Sequence, residues 1–142
     1  MKDLDRFIKA HEKYYEIALK EIENGHKESH WIWFIFPNLK VFSGSEISYH
    51  YGLDDLEEAK EYLNNPLLKS HLLEISMALL NINKENIMDI VEFPDNLKIC
   101  SSMTMFSVIE PDNEIFKNVI KKYFQNKEDE KTLMFIKTIS KK

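Results

Sequence analysis

The stretch SHWIWFIFPN, residues 29–38, decides between a mixed and an all-helical fold, because it has the strongest strand character in the sequence. Its six consecutive large apolar residues, Trp31 to Phe36, include both tryptophans of the chain, and aromatic and β-branched residues suit a buried strand. No second strand pattern is clear, however, and a lone strand cannot pair its backbone groups. Since Ser29 can cap a helix and Pro37 can end one, we predict a short buried helix here.

Apolar residues in the rest of the chain recur at three- and four-residue spacing, which is typical of helices that bury one face. The first predicted helix begins with a cap at Asp3 and ends at Gly25. Further helices are predicted to start at Asp54 or Asp55, Asn65–Pro66, Ile87, Pro94, Pro111–Asp112 and Asp129. The sequence therefore predicts an all-α fold, a compact single-domain bundle of about six to eight helices over residues 1–142.

The composition favours a soluble globular protein over a nucleic-acid or membrane protein. Of the 142 residues, 44% are hydrophobic and 30% are charged, and the formal net charge is −5, whereas a dedicated nucleic-acid binder is normally basic. No apolar run approaches the roughly 18 residues of a membrane-spanning helix, and the N-terminus has no signal-peptide core. The single cysteine, Cys100, excludes an internal disulfide and suits a reducing compartment. We expect a cytoplasmic protein with no nucleic-acid and no membrane partner.

Four blocks of the sequence carry a recognisable combination of motifs. The first is the pattern GxKxSHWxWFxFPxL, which starts at Gly25 and ends at Leu39. The second comprises Ser45, Tyr51, Leu56, Glu58, Ala59, Tyr62, Leu63 and Pro66; the third Asp95, Lys98, Ser101, Ser102, Thr104 and Phe106; the fourth Tyr123, Phe124, Asp129, Thr132 and Leu133. In this combination the chain resembles the family of domains of unknown function numbered 1810.

The resemblance covers nearly the whole chain and implies a compact, mainly helical single domain; it implies no activity. One segment departs from the family pattern. Members often have a Gly-Leu-Gly-like turn before the motif serine, and this chain has Val41, Phe42, Ser43 and Gly44 there.

A narrow polar stripe is predicted on the helix that follows Pro94. Lys98, Ser101 and Ser102 are spaced i, i+3 and i+4 and therefore share a helix face, while their neighbours are almost all apolar. An ammonium group beside two hydroxyls suits a phosphate or a carboxylate. The same stripe fits a solvent-facing surface, or serines that bond back to the helix backbone, and the sequence leaves these alternatives open.

His30, Trp31 and Trp33 form a second candidate group. His30 is predicted to stand in the first turn of a helix capped by Ser29, where unpaired amides attract anions, and the indoles would form an aromatic wall. We expect His30 to hydrogen-bond a ligand, Lys98 to hold its negative group and the two serines to orient it. The alternative is a core histidine bonded to a backbone carbonyl, with the tryptophans as core filler.

Ser45 and Tyr51 complete the candidate ligand-binding residues. They lie in a loop-like region between predicted helices, and loops carry binding groups more often than scaffolds do. Asp95 and Asp129, by contrast, are interpreted as helix caps.

An acidic motif raises the question of a metal site. Glu57, Glu58 and Glu61 spell EExxE, the spacing of a magnesium-binding helix in all-α nucleotide pyrophosphohydrolases. That mechanism also needs a second acidic pair on one helical face, and the only ExxD in the chain contains Pro94. A solvated acidic face is the favoured interpretation, and no metal site is predicted because the histidines also lack metal-like spacing.

Three functions follow from these patterns. The first is binding of a small anionic or nucleotide-like ligand in a pocket lined by the SHWxWFxFP segment and the helix from Lys98 to Ser102. The second is a protein–protein interaction module that uses an aromatic and aliphatic patch. The third is a metal-dependent nucleotide pyrophosphohydrolase. The sequence assigns no catalytic residue, cofactor or oligomeric state, and it leaves open whether the protein is an enzyme.

Overall fold

The structure, a computed structural model that describes residues 4–140, is a bundle of eight α-helices. They are α1 (Asp5–Glu23), α2 (Ile32–Ile35), α3 (Glu46–His50), α4 (Leu56–Asn64), α5 (Pro66–Asn81), α6 (Asp95–Ile109), α7 (Glu114–Tyr123) and α8 (Glu130–Ser140). Short 3-10 helices span Lys40–Phe42 and Ile87–Asp89. The only β pairing within residues 4–140 is an isolated parallel bridge between Leu39 and Leu53, so the all-α prediction is confirmed. None of the helices in this range is long and apolar enough to cross a membrane.

Local sequence signals set most of the helix boundaries. The first helix, α1, ends before Gly25, whose φ of 84° lies in the left-handed region that favours glycine. Asp55 and Asn65 cap α4 and α5 with their side-chain oxygens, as the sequence predicts. The cap of α7 is Asn113, so the predicted start at Pro111–Asp112 is wrong by two residues. The predicted cap Asp3 lies outside the described residues.

The apolar segment from Trp31 to Phe36 is buried between two longer helices. Only Trp33 is partly exposed, and the other five residues of the segment are at most 3% exposed. Four of the six residues form α2, which packs against α1 and α6. The apolar run is therefore explained by burial on both sides of a short helix, with no strand partner required.

Two helices form the centre of the bundle. Helix α5 packs against α1, α4 and α7, and helix α6 packs against α7, α8 and α2. Most of α6 is buried, but Leu97, Lys98 and Ser101 near its start are exposed or partly exposed. This part of α6 forms one side of the pocket described next.

Candidate functional site

A pocket of about 410 Å³ lies where the first turns of α6 and the start of α8 face the chain between α2 and α4. Its volume falls in the range of about 300–1,000 Å³ that is typical of small-molecule sites. We name it the Lys98 pocket. Its lining residues are Trp33, Asn38, Leu39, Phe42, Ser43, Ser48, Tyr51, Pro94, Leu97, Lys98, Ser101, Asp129 and Lys131.

A cation and an aromatic ring meet in the Lys98 pocket. The ammonium nitrogen of Lys98 lies 5.8 Å from the centroid of the Trp33 ring, within the range of a cation–π contact. No carboxylate among residues 4–140 comes within the 4.0 Å ion-pair distance of this ammonium. Lys98 therefore presents a charge that the described protein leaves uncompensated, and an anionic ligand would complement it.

Several polar groups of the pocket are also left for a ligand. In the part of the chain that the structure describes, the Trp33 indole N–H, the Tyr51 hydroxyl and the Ser101 hydroxyl form no hydrogen bond with protein. None of the three is fully shut off from solvent. Because Ser101 follows Lys98 by one helical turn, its hydroxyl and the ammonium can reach the same bound group.

The wall opposite α6 is held by backbone bonds. In the Leu39–Leu53 bridge, the Lys40 amide donates to the Leu53 oxygen over 2.7 Å, and the Leu53 amide donates to the Asn38 oxygen over 2.9 Å. The side-chain amide of Asn38 donates in turn to the backbone oxygen of Lys98 over 3.2 Å. These bonds connect the segment after α2 to α6 and so fix the width of the pocket.

The charged groups of the pocket favour an anion without excluding a cation. Two lysines, Lys98 and Lys131, and one aspartate, Asp129, are among the lining residues. One oxygen of Asp129 accepts from the Thr132 amide over 3.1 Å and from the Thr132 hydroxyl over 2.6 Å. The predicted cap of α8 is thus present, and the same residue also faces the pocket.

Trp31 is a core residue and does not line the pocket, which corrects its assignment as a candidate binding residue. It is 0% exposed, and its indole N–H donates to Glu21 over 2.9 Å. The Glu21 carboxylate also accepts from the amides of Glu28 and Ser29 and from the Ser29 hydroxyl. Burial alone would raise the pKa of Glu21, but these bonds outweigh it and lower the pKa to about 2.

His30 does not meet Lys98 in the pocket. It is exposed and lines a separate surface depression, which also contains Lys27 and Asp95. The prediction that His30 stands in the first turn of a helix capped by Ser29 is wrong, because α2 starts only at Ile32 and has no side-chain cap. The interpretation of Asp95 as a cap is also wrong, since it forms an ion pair of 2.9 Å with Lys27 and has no capping hydrogen bond.

Two of the predicted serines have structural positions. Ser45 is the last loop residue before α3, which it caps in a reciprocal pair with Ser48, and Ser48 rather than Ser45 lines the pocket. Ser102 is 0% exposed, and its hydroxyl has no hydrogen-bond partner among the described residues. The predicted stripe therefore divides, with Lys98 and Ser101 on the pocket side and Ser102 in the core.

Sequence reasoning did not identify several pocket residues. Phe42 and Ser43 belong to the turn in which the chain departs from the family pattern, and that departure was a usable signal. Asp129 was interpreted only as a cap. Asn38 and Lys131 have no local pattern that separates them from ordinary surface residues.

A buried histidine pair lies outside the Lys98 pocket, between α1 and α5. His11 is 2% exposed; its Nε2 lies 2.9 Å from the Phe34 backbone oxygen, and its Nδ1 lies 2.9 Å from the Nδ1 of His71. Because a carbonyl oxygen only accepts, His11 carries its proton on Nε2 and accepts from His71 at Nδ1. Burial lowers the pKa of His11 to about 4 and also lowers the pKa of His71.

The acidic EExxE motif is not an open metal-binding face. Glu58 is 1% exposed and forms an ion pair of 2.9 Å with Arg6, and it accepts from the Asp54 amide over 2.8 Å. The prediction of a solvated face therefore fails for Glu58. No group of three histidine, cysteine, aspartate or glutamate side chains within residues 4–140 has the arrangement of a metal site.

Comparisons with known proteins agree with the fold. A solved structure, the conserved hypothetical protein Rv1873 from Mycobacterium tuberculosis, superposes with a TM-score of 0.91 at 36% sequence identity, over 94% of this chain and 95% of that chain. No curated protein matches the chain. The family model described as protein of unknown function, DUF1810, matches residues 1–136. The chain therefore belongs to the DUF1810 family.

Proposed function

We propose that this protein binds a small ligand with an anionic group and a flat ring in the Lys98 pocket. The observation that carries the proposal is the Lys98 ammonium, which lies over Trp33 and has no ion-pair partner among the described residues. A lysine that faces a concave, partly apolar site and has no carboxylate at ion-pair distance is suited to hold a phosphate or carboxylate.

The remaining lining residues suit the rest of such a ligand. Trp33 and Tyr51 offer ring faces and edges for stacking. Leu39, Phe42 and Leu97 supply apolar contact, and burial of apolar ligand surface is the main general source of affinity. In this proposal the Ser101 hydroxyl orients the anionic group. The proposal is one of binding and assigns no catalytic residue.

A thermal-shift and ligand-observed NMR screen tests the proposal. The panel contains anionic ring compounds (adenosine monophosphate, nicotinate and indole-3-propionate) and uncharged counterparts (adenosine, nicotinamide and 3-methylindole). At least one anionic compound should raise the melting temperature, since a ligand of the native state stabilises it by mass action. The uncharged counterpart should bind at least about tenfold more weakly.

A matched pair of lysine variants locates the binding. In Lys98→Ala the stabilisation by the anionic compound should disappear. Lys121→Ala removes an exposed lysine on α7, which contributes no residue to the pocket lining, and should keep the stabilisation. An anionic compound that stabilises Lys98→Ala as much as the parent protein would overturn the proposal, as would a panel in which no compound binds at millimolar concentration.

A second candidate function is protein–protein interaction through the rim of the pocket. It is favoured by the exposure of two large apolar lining residues, 37% for Phe42 and 49% for Leu97. Their neighbours in the sequence include Val41, which is 60% exposed, and Phe93, which is 69% exposed and lines the depression around His30. Isolated exposed apolar residues are common, but a group of them often marks an interface. A partner that binds the parent protein and Lys98→Ala equally, but not Leu97→Asp, would favour this function.

A further inference from the structure

Asp129 and Lys98 carry opposite charges, line one pocket and do not neutralise each other. Neither residue forms an ion pair with any residue of the range 4–140, and Lys131 does not pair with Asp129 either. Two opposite charges stabilise a folded protein most strongly when they are in contact as an ion pair. Here they stay more than 4.0 Å apart within the same cavity, so both remain available to a bound molecule.

The Asp129 carboxylate is held in place by buried groups. One of its oxygens accepts from the amide and the hydroxyl of Thr132, and its own amide donates to the Thr104 hydroxyl over 2.9 Å. Thr132 is 1% exposed and Thr104 is 0% exposed. The second oxygen, Oδ1, receives no hydrogen bond from the described residues. The carboxylate is therefore oriented in advance, with one acceptor left for a ligand.

Capping alone does not require the charge of Asp129. In the same protein neutral side chains cap three other helices in the same way, namely Ser45 for α3, Asn65 for α5 and Asn113 for α7. An asparagine at position 129 would retain an oxygen for Thr132. What the aspartate adds is a negative charge in the lining of the pocket that also contains Lys98 and Lys131.

We infer that Asp129 determines the specificity of the Lys98 pocket by receiving a cationic or N–H donor group of the ligand. The ligand class is then a zwitterionic ring compound, such as an aromatic α-amino acid or a compound of that type, with its anionic group on Lys98 and Ser101. This inference rests on the proposed function and goes beyond it, because an anion site alone would prefer the ligand without the cation. The groups that set the preference are Lys98, Lys131 and Asp129, the charged side chains among the lining residues.

Three indole compounds separate the contributions of the ammonium group and the carboxylate of the ligand to binding. Tryptophan has both charges, indole-3-propionate lacks the ammonium and tryptamine lacks the carboxylate. Isothermal titration calorimetry should give the parent protein about a tenfold preference for tryptophan over indole-3-propionate, the size expected of one hydrogen bond to a charged group. Tryptamine should bind most weakly, because it meets the lysines with a positive charge.

The variant Asp129→Asn keeps the shape of the side chain and an oxygen for Thr132. It should bind tryptophan and indole-3-propionate with equal affinity. Glu128→Gln is the matched control: it makes the same change of net charge at the neighbouring exposed residue, which is outside the pocket lining, and should keep the preference. If Asp129→Asn unfolds, chemical-shift mapping on the parent protein replaces it. Tryptophan, unlike indole-3-propionate, should then shift the amides of residues 129–132.

Equal binding of tryptophan and indole-3-propionate by the parent protein would overturn the inference, as would a preference that survives in Asp129→Asn. Binding of none of the three compounds would also overturn it. If the parent protein binds the two compounds equally, or if the preference survives in Asp129→Asn, the proposed anion site can still be correct. Loss of indole-3-propionate binding in Lys98→Ala would then support it. The proposed function itself fails only when the wider anionic panel binds nowhere or binds independently of Lys98.

Discussion

At the scale of single residues, Glu21 explains why serine and tryptophan occur at positions 29 and 31. Its carboxylate accepts four hydrogen bonds, one from Glu28, two from Ser29 and one from Trp31. An acceptor-only group with this many donors holds the loop after α1 in one conformation and positions α2 against the core. Serine and tryptophan of the Ser-His-Trp pattern therefore have structural roles. The histidine of the pattern, His30, forms no hydrogen bond with Glu21 and is exposed to solvent.

The two tryptophans have different surroundings, and their truncation should separate stability from binding. Trp31→Ala removes a fully buried ring and a donor to Glu21, and it should lower the free energy of unfolding by about 3–5 kcal/mol. Trp33→Ala removes a partly exposed ring that lines the pocket, and it should cost less, about 1–2 kcal/mol, while abolishing ligand binding. Urea unfolding followed by far-UV circular dichroism measures both. A smaller loss for Trp31→Ala than for Trp33→Ala would contradict the assignment of Trp31 to the core.

The His11–His71 pair should make the protein less stable in mild acid. Burial holds the pKa of His11 at about 4, below its ordinary value of 6.5. As the pH falls, His11 therefore binds a proton more readily in the unfolded chain than in the folded protein. The contribution of His11 to the free energy of unfolding is therefore fully present above pH 6.5 and is lost progressively as the pH falls toward 4. A second N–H on His11 would also face the N–H of His71 across 2.9 Å. The free energy of unfolding should fall by about 2 kcal/mol between pH 6.5 and 4.5.

The pH window separates the contribution of the histidine pair from that of Glu21. Glu21 contributes stability that is lost only below its ordinary pKa of 4.5, since its folded pKa is about 2. His11→Gln should therefore be less stable at pH 7 but should show a flatter profile between pH 6.5 and 4.5. His30→Gln, which removes an exposed histidine, is the matched control for the loss of one imidazole. A profile of His11→Gln as steep as that of the parent protein would show that other groups cause the loss.

At the scale of helices, boundaries were predictable where the signal is local. Asp55, Asn65 and Gly25 act within one turn of the helix that they cap or end, so the sequence alone identifies them. Ser29 is not a cap because α2 begins only at Ile32, and its hydroxyl donates instead to the Glu21 carboxylate, eight positions earlier in the chain. The helix α3 was missed because its five residues, EISYH, are too few to show a helical period.

Two backbone segments approach each other closely at Gly52, beside the bridge that holds the pocket wall. A Cβ atom at position 52 would lie 2.6 Å from Cα of Lys40, beside the Leu39–Leu53 bridge. Gly52→Ala should therefore destabilise the protein by about 1–3 kcal/mol and weaken ligand binding, because the wall must shift. Gly44→Ala is the control, since nothing lies within 4 Å of its Cβ position. Equal stability and equal binding of the two variants would show that the bridge is not a constraint.

At the scale of the whole molecule, the pocket is an assembly of segments that are distant in sequence. Trp33, Tyr51, Lys98 and Asp129 come from four parts of the chain, and no local pattern relates them. Lys98 and Ser101 were found because they share one helix face. His30 shares no such face with them, and it lies in another depression because α2 starts only at Ile32. Which side chains meet in a cavity depends on helix packing, and that information is spread over the whole sequence.

This assembly predicts where a ligand protects the backbone. A compound such as indole-3-propionate, at 100 times its dissociation constant, adds about 2.7 kcal/mol to native stability. Amides that exchange through local opening of the pocket should slow most, in residues 38–52, 97–102 and 129–132. The α7 helix contributes no lining residue, and its exchange should change less. Hydrogen–deuterium exchange with mass spectrometry measures both regions, and Lys98→Ala should remove the difference. Protection centred on the depression around His30 would instead place the binding site there and support a ligand-binding role for the histidine.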